Sequence, residues 1–343
     1  MSEQSKIPPA LLLRHLAFVM RASRALYVGA QLGVADILAA GPMSSGEIAA
    51  QAGTDAPTMR RLLRALVAQG VFEEEALDLF RLNPAGDLLR YDAPASQRAG
   101  VLFTAGDLRW QLWSDLFECV RTGEAAIERT FGKNVFERHA ENAEESALFN
   151  QAMASFSAAL VPPLIASYDF AAFRSIADVG GGTGRLLAGI LTANPNVRGV
   201  LFDLPNVVSA ALPLLEASGV AARCKIEGGS FFEDVPAGAD AYLLRAVLHD
   251  WDDERAIAIL ANCRRAMTGE ATLLIVECVM PERAEQGKMA DAYLLDLEML
   301  VNTPGGRERT AAEFTSILEA ARFCVTRIVP TTTPVCLIEA RPL

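Results

Sequence analysis

The chain has 343 residues, of which 51% are hydrophobic and 21% charged, and it carries a net charge of −11. So much apolar material excludes intrinsic disorder, and the length suits two domains better than one. The acidity is even, −5 over residues 1–170 and −6 over the rest, so neither half has the electrostatic footprint of a nucleic-acid binder.

Residues 10–40 place Leu11, His15, Phe18 and Ala22 at helical spacing until Gly41-Pro42 breaks the run. A short helix follows over 44–53, with serines at its start and Gly53 at its end, and a second from about Pro57 to Gly70. The segments 71–72 and 79–82 then predict a small hairpin, giving a winged helix-turn-helix outline. Arg60, Arg61 and Arg64 on its second helix raise a DNA-binding regulator as one alternative; a solvated face on an acidic domain is the plainer account. Residues 101–170 read as helical again, with Phe103, Trp110, Trp113, Phe117, Phe149, Met153 and Phe156 forming aromatic and methionine positions suited to core or pocket. From 175 onward strands at 175–179, 199–203, 223–227, 239–244 and 271–277 alternate with helices such as 185–193 and 254–267. An antiparallel pair, 324–329 and 335–340, closes the chain. That alternation predicts an α/β doubly wound, Rossmann-like sheet with its site at the carboxyl ends of the strands. The expected division is a mainly helical domain over 1–100 and a second over 101–343, the latter with a helical segment to 170 and an α/β core thereafter.

The longest apolar runs, 10–13 and 272–276, are far short of a membrane span, and residues 1–20 lack a leader's cleavage pattern, so a cytoplasmic protein is expected. The six cysteines are scattered without close pairs and read as reduced thiols. Only His15, His139 and His249 are available for histidine chemistry.

The sharpest local signal is Asp178-Val179-Gly180-Gly181-Gly182-Thr183-Gly184 between a strand and a helix, where glycines let backbone approach a ligand closely. Asp203 ends the next strand, at the spacing where a carboxylate takes the hydroxyls of a ribose. A nicotinamide dinucleotide would be a second candidate ligand, although the cluster is GGGTG and not GxGxxG.

These motifs occur in order with Phe202–Pro205 (FDLP), Leu248–Trp251 (LHDW), Val276–Cys278 (VEC) and Asn302–Thr310 (NTPGGRERT). Together they resemble the small-molecule O-methyltransferases that use S-adenosylmethionine, of the plant caffeate, flavonoid and acetylserotonin type and their bacterial secondary-metabolite members. The resemblance spans nearly the whole chain. It implies that the N-terminal region makes a homodimer, that S-adenosyl-L-methionine is the cofactor and leaves as S-adenosyl-L-homocysteine, and that His249 is the general base, flanked by Glu277 and Glu308. An unperturbed imidazole titrates near neutrality and suits that role. Asp178, Gly180, Gly182, Asp203, Leu204, Ser230, Phe231 and Arg245 are then the cofactor positions. Ser230 stands where the family usually has an Asp facing the adenine. Phe149, Met153, Phe156, Met299, Asn302 and Thr303 fall at acceptor-pocket positions, with Phe103 and Trp110 as further neighbours. Aromatic and methionine walls suit a flat aromatic acceptor. Asp250 either positions the cofactor or loop, or caps the following helix. No set of Asp/Asn ligands accompanies His249, so no metal is expected. Diverged chemistry on the same fold (hydroxylation, decarboxylation or a pericyclic step) is a further alternative that the family leaves open.

Overall fold

Strong local stop signals, more than hydrophobic periodicity, decide where the first elements end. In the computed structural model, which describes residues 8–343 (Ala159 by its backbone), the first apolar run forms α1 (Pro9–Gln31) and α2 (Val34–Leu38). Gly33 separates them at φ 67°, where an L side chain would be strained, so the single run expected over 10–40 is broken there. The reading of the first residues for a leader falls partly on 1–7, outside the described residues. In α3 (Ser45–Ala52) Ser44 is the N-cap and exchanges hydrogen bonds with Glu47 in a capping box; Gly53 ends the helix in the left-handed conformation. Helix α4 (Ala56–Ala68) is capped by Asp55. Strands β2 (Phe72–Ala76) and β3 (Leu79–Leu82) form the expected hairpin, and β1 (Met43–Ser44) adds to β3 as a third strand. Ile48, Leu63, Leu66, Phe72 and Phe80 close the core of this first compact unit, which runs to Trp110.

The second unit is Gln111–Leu343. Its sheet contains β4 (Ser175–Val179), β5 (Arg198–Asp203), β6 (Cys224–Gly228), β7 (Ala241–Arg245), β8 (Thr272–Met280), β9 (Arg309–Thr310), β10 (Phe323–Pro330) and β11 (Val335–Pro342). The strand order is β10-β11-β8-β7-β4-β5-β6, with the short β9 pairing with β8. From β6 to β8 every pairing is parallel, while β11 lies antiparallel to β8 and β10 to β11. The chain winds outward from β4 in one direction and returns to β7 on the other side. That reversal opens a crevice at the carboxyl ends of β4 and β7.

Two apolar layers cover the sheet. One gathers Tyr242, Leu244, Ile259, Leu260, Phe314 and Phe323, the other Leu186, Leu187, Ile190, Leu201, Leu243 and Leu274. The second layer is closed by the helix Ala143–Ser167, which contains Pro162 and Pro163 and bends by 46° near Ala159. A proline removes the amide that would bond the carbonyl four residues back and crowds that carbonyl, which accounts for the bend. Among the described residues no single helix is long and apolar enough to cross a membrane.

Beyond the bend this helix lies on Arg185–Ala193 so closely that a Cβ at Gly189 would sit 2.4 Å from Val161 Cγ1. Gly189→Ala should therefore destabilise the second unit by about 1–3 kcal/mol, the usual cost of an overpacked core. Adding Val161→Ala should recover most of the loss. Chemical denaturation of the two variants checks this, and an equally unstable double variant would show that the contact is not the cause.

Candidate active site

Five loops at the carboxyl ends of the parallel strands supply the polar groups. After β4 the turn Gly180–Gly184 holds Gly180, Gly182 and Gly184 at φ 73°, 60° and 82°. A Cβ at Gly180 would lie 2.7 Å from Val247 Cγ2, and one at Gly181 2.7 Å from the Asp178 carboxylate. Backbone is thus exposed to the crevice in a cradle that side chains would fill. At the end of β5, Asp203 accepts the Gly182 amide at 2.8 Å and the Leu204 amide at 2.7 Å. Burial pushes its pKa up, and those two amides pull against the shift. Asp178 is buried at the end of β4; its Oδ2 has no hydrogen-bond partner among the described residues. Burial pushes its pKa up to about 7, opposed by Arg245 and reinforced by Asp203.

After β6, Ser230 accepts the Phe232 amide on its hydroxyl at 3.3 Å. The Phe231 ring approaches the Gly180 turn to 3.5 Å from the position a Cβ would take there. It also meets Phe232 and Trp251 edge-on. At the end of β7, Arg245 donates to the Ser157 hydroxyl at 2.5 Å. Burial lowers the Arg245 pKa, and the carboxylates of Asp178 and Glu277 resist that shift.

β8 outruns β7. Their pairing ends at Arg245↔Val276, so Glu277 is the first residue beyond it. Ala246 adopts φ 50°, rare for an L residue, and turns the chain back over that carboxylate. Glu277 Oε1 then accepts the amides of Val247 at 3.0 Å, Leu248 at 2.8 Å and His249 at 3.4 Å. The resulting one-turn helix, Leu248–Asp250, delivers His249. Its Nδ1 lies 2.8 Å from Glu308 Oε1 and 3.8 Å from Glu277 Oε2, while Nε2 is 3.7 Å from Asp250 Oδ1. The bond to Glu308 assigns the proton to Nδ1 and leaves the Nε2 lone pair free of that bond. The imidazole keeps 15% of its surface open. Burial disfavours its charged form, but Glu277, Asp250 and Glu308 outweigh it and push the pKa up to about 10. Burial pushes Glu277 upward, with His249 opposing.

His249, Glu277 and Glu308 present donor atoms within 4.8 Å of one another. One oxygen of each carboxylate is already engaged, by backbone amides in Glu277 and by the imidazole in Glu308. The three side chains form one hydrogen-bonded and charge-paired cluster.

Of the positions expected to face an acceptor, Met299, Asn302 and Thr303 are buried at the end of helix Ala290–Asn302. Thr303 donates to the Met299 carbonyl at 2.7 Å and accepts the Gly306 amide at 3.1 Å, and Asn302 Oδ1 has no hydrogen-bond partner among the described residues. Met153, on the helix Ala143–Ser167, is tied to the crevice through Ser157, which donates to the Met153 carbonyl and accepts from Arg245. Phe149 packs on the His139 ring at 4.6 Å, and Phe156 is exposed. Phe103 and Trp110 fall in the first unit, under the guanidiniums of Arg109 and Arg24. The cap of helix Asp253–Ala266 is Asp252; Asp250 is instead the carboxylate beside Nε2.

A glycine cradle, a strand-end carboxylate and a carboxylate-flanked histidine on a doubly wound sheet are the features of a transferase that uses a nucleoside cofactor. Residues 113–324 match the O-methyltransferase domain and residues 14–91 the O-methyltransferase dimerisation domain, and the chain belongs to this family. It is a methyltransferase that uses S-adenosylmethionine. The chain is 42% identical over 323 residues to the phenazine O-methyltransferase PhzM of Lysobacter antibioticus, covering 94% of this chain and 93% of that one. The crystal structure of LaPhzM superposes with a TM-score of 0.94 at 40% identity, covering 98% and 100% of the two chains. NcsB1, an O-methyltransferase from neocarzinostatin biosynthesis solved with S-adenosylmethionine and 2-hydroxy-5-methyl naphthoic acid, gives 0.82 at 34% identity, covering 99% and 100%.

Sequence reasoning missed Gly306, Arg309, Asp253 and Ser157, although the first two lie within the quoted NTPGGRERT motif. A Cβ at Gly306 would come within 2.1 Å of Thr303 Oγ1 and 2.4 Å of the His249 carbonyl. Gly306→Ala should push that segment off the histidine turn and lower turnover about 100-fold, the cost of roughly 1 Å of misplacement. Binding of S-adenosylhomocysteine, read by calorimetry, should hold. Normal turnover would show that the segment yields without moving the histidine.

Proposed function

We propose that this enzyme methylates a hydroxyl of an aromatic small molecule of secondary metabolism, with His249 taking the hydroxyl proton. The observation that carries this reading is the 2.8 Å contact between Nδ1 and Glu308, which leaves Nε2, on a ring still partly open, to receive the proton. S-adenosylmethionine supplies a methyl group on a sulfonium and departs as a neutral thioether, so its leaving group needs no acid. The chain's own residues have the remaining tasks. Asp203 and the backbone from Gly180 to Gly182, with Leu204, Ser230 and Phe231, form the nucleoside end of the cradle; Asp178 and Arg245 form the end nearer the base. Glu308 holds the imidazole and offsets the charge it gains, and Glu277 fixes the turn beneath it. Met153, Met299, Phe149 and Phe156 supply apolar wall for a flat ring, and Asn302 offers an unsatisfied acceptor beside Thr303 for a polar substituent. The relatives' substrates, a phenazine and a naphthoic acid by name, support an aromatic acceptor.

We also infer a homodimer formed through the first unit. Leu11, Leu13 and Leu16 on α1 are 53%, 69% and 61% exposed, an apolar surface that a second copy of the dimerisation domain would cover. Sedimentation should show a dimer at micromolar concentration. Leu13→Glu with Leu16→Glu should dissociate it; an intact wild-type monomer would refute the assembly.

His249→Ala should lower kcat by about 10²–10⁴-fold, the range for a lost general base, with cofactor affinity nearly unchanged. Asp203→Ala should do the reverse and raise the cofactor's Kd first. Because the imidazole is held up at about 10 and must be neutral to act, kcat/KM should climb with pH from neutrality, by about tenfold per unit below that value. A profile flat from pH 7 upward would show that the base titrates near its ordinary value in the working enzyme.

A further inference from the structure

Arg309 is a buried cation with no task so far. Arg309 is fully enclosed, and an enclosed guanidinium is costly unless each donor is met. Here the donors converge on the turn that carries His249. Nη1 donates to the Leu248 carbonyl at 2.8 Å and Nη2 to the Trp251 carbonyl at 2.8 Å. Nε and Nη2 also donate to Asp253 Oδ1 at 3.0 and 2.8 Å, while Asp253 Oδ2 accepts from Arg307 at 2.7 Å. The guanidinium therefore grips carbonyls on both sides of His249. At the opposite pole of the same turn, Glu277 grips its amides. An anion at the N–H end and a cation at the C=O end are the charges that the turn's aligned peptides favour.

Three consecutive residues reach this turn by three routes. The Arg307 amide donates to the His249 carbonyl at 2.8 Å, the Glu308 carboxylate bonds the ring, and Arg309 bonds the flanking carbonyls. Glu308 and Arg309 are adjacent, so a shift of the guanidinium moves the imidazole's partner and the imidazole's backbone together. We propose that Arg309, oriented by Asp253, is a positioning residue for His249, setting the register between the imidazole and Glu308. This rests on His249 being the base.

Arg309→Lys keeps the charge and loses the fork. Its kcat should fall about 10- to 100-fold, as expected for misplacement on the order of 1 Å. The acceptor KM and the calorimetric Kd for S-adenosylhomocysteine should stay within about twofold, since neither depends on proton transfer. The limb of kcat/KM that rises with pH should move to lower pH, because a loosened Glu308 contact no longer favours the charged ring. Asp253→Asn, at a half-exposed side chain, should show the same pattern more weakly and serves if Arg309→Lys does not fold. Placed on His249→Ala, either substitution should cost nothing further, the non-additivity expected of residues acting through one group. An undiminished kcat in both variants, an unmoved pH limb, or a double variant slowed by the full single-variant factor would overturn the proposal. If His249→Ala itself keeps wild-type turnover, the base reading fails and this proposal with it, a result distinct from the others.

Discussion

A buried carboxylate on a strand that outruns its neighbour has to find donors or lose its charge, and Glu277, one residue beyond the last β7–β8 pair, is that carboxylate. Removing it from water costs several kcal/mol unless hydrogen bonds replace the lost hydration. The chain beyond β7 meets the demand by reversing at once, which places three successive amides over one oxygen. That reversal needs Ala246 in a left-handed conformation, at a cost of about 1–2 kcal/mol for an L residue. The tight turn then leaves its carbonyl side to be covered, and the segment from Gly305 to Arg309 covers it. Only a glycine fits where that segment crosses the His249 carbonyl. Imidazole, partner carboxylate and supporting turn thus form one solution to the burial of one charge.

The same strand end joins the two halves of the site. Arg245 and His249 are four residues apart in sequence, and both follow from the carboxyl end of β7. Arg245 feels both Asp178 and Glu277, so the carboxylate beside the glycine turn and the one beneath His249 share a cation. Through Ser157 the same guanidinium reaches the helix that carries Met153.

Much of this was legible in the sequence, for reasons that differ from one element to the next. β4 and the helix Arg185–Ala193 were read to the residue because a continuous apolar run meets a glycine cluster and then a 3.6-residue pattern. His249, Glu308 and Asp203 stood out because few residue types can do their chemistry and the motifs carrying them were intact. The break at Gly33 was hidden, since a single glycine inside an apolar pattern has no period of its own. β1 and β9, two residues each, are defined by partners distant in the chain and have no local pattern to find. Arg309 was opaque for a similar reason. An arginine in a polar turn resembles a solvated one until the carbonyls it bonds, some sixty residues away, are brought beside it. Asp252 took the cap because its extended backbone points its oxygen at the Arg255 amide, a matter of dihedral angle that four clustered acids cannot reveal.

The bend in the helix Ala143–Ser167 divides that element by task. Its C-terminal portion is locked against Arg185–Ala193 by the contact at Gly189 and belongs to the framework of the sheet. Its N-terminal portion carries Phe149 and Met153 and reaches Arg245 through the Ser157 hydroxyl. Substitutions confined to that portion therefore leave the contact at Gly189, and the sheet it braces, untouched. The two prolines thus set apart, within one helix, a half that braces the sheet and a half that does not.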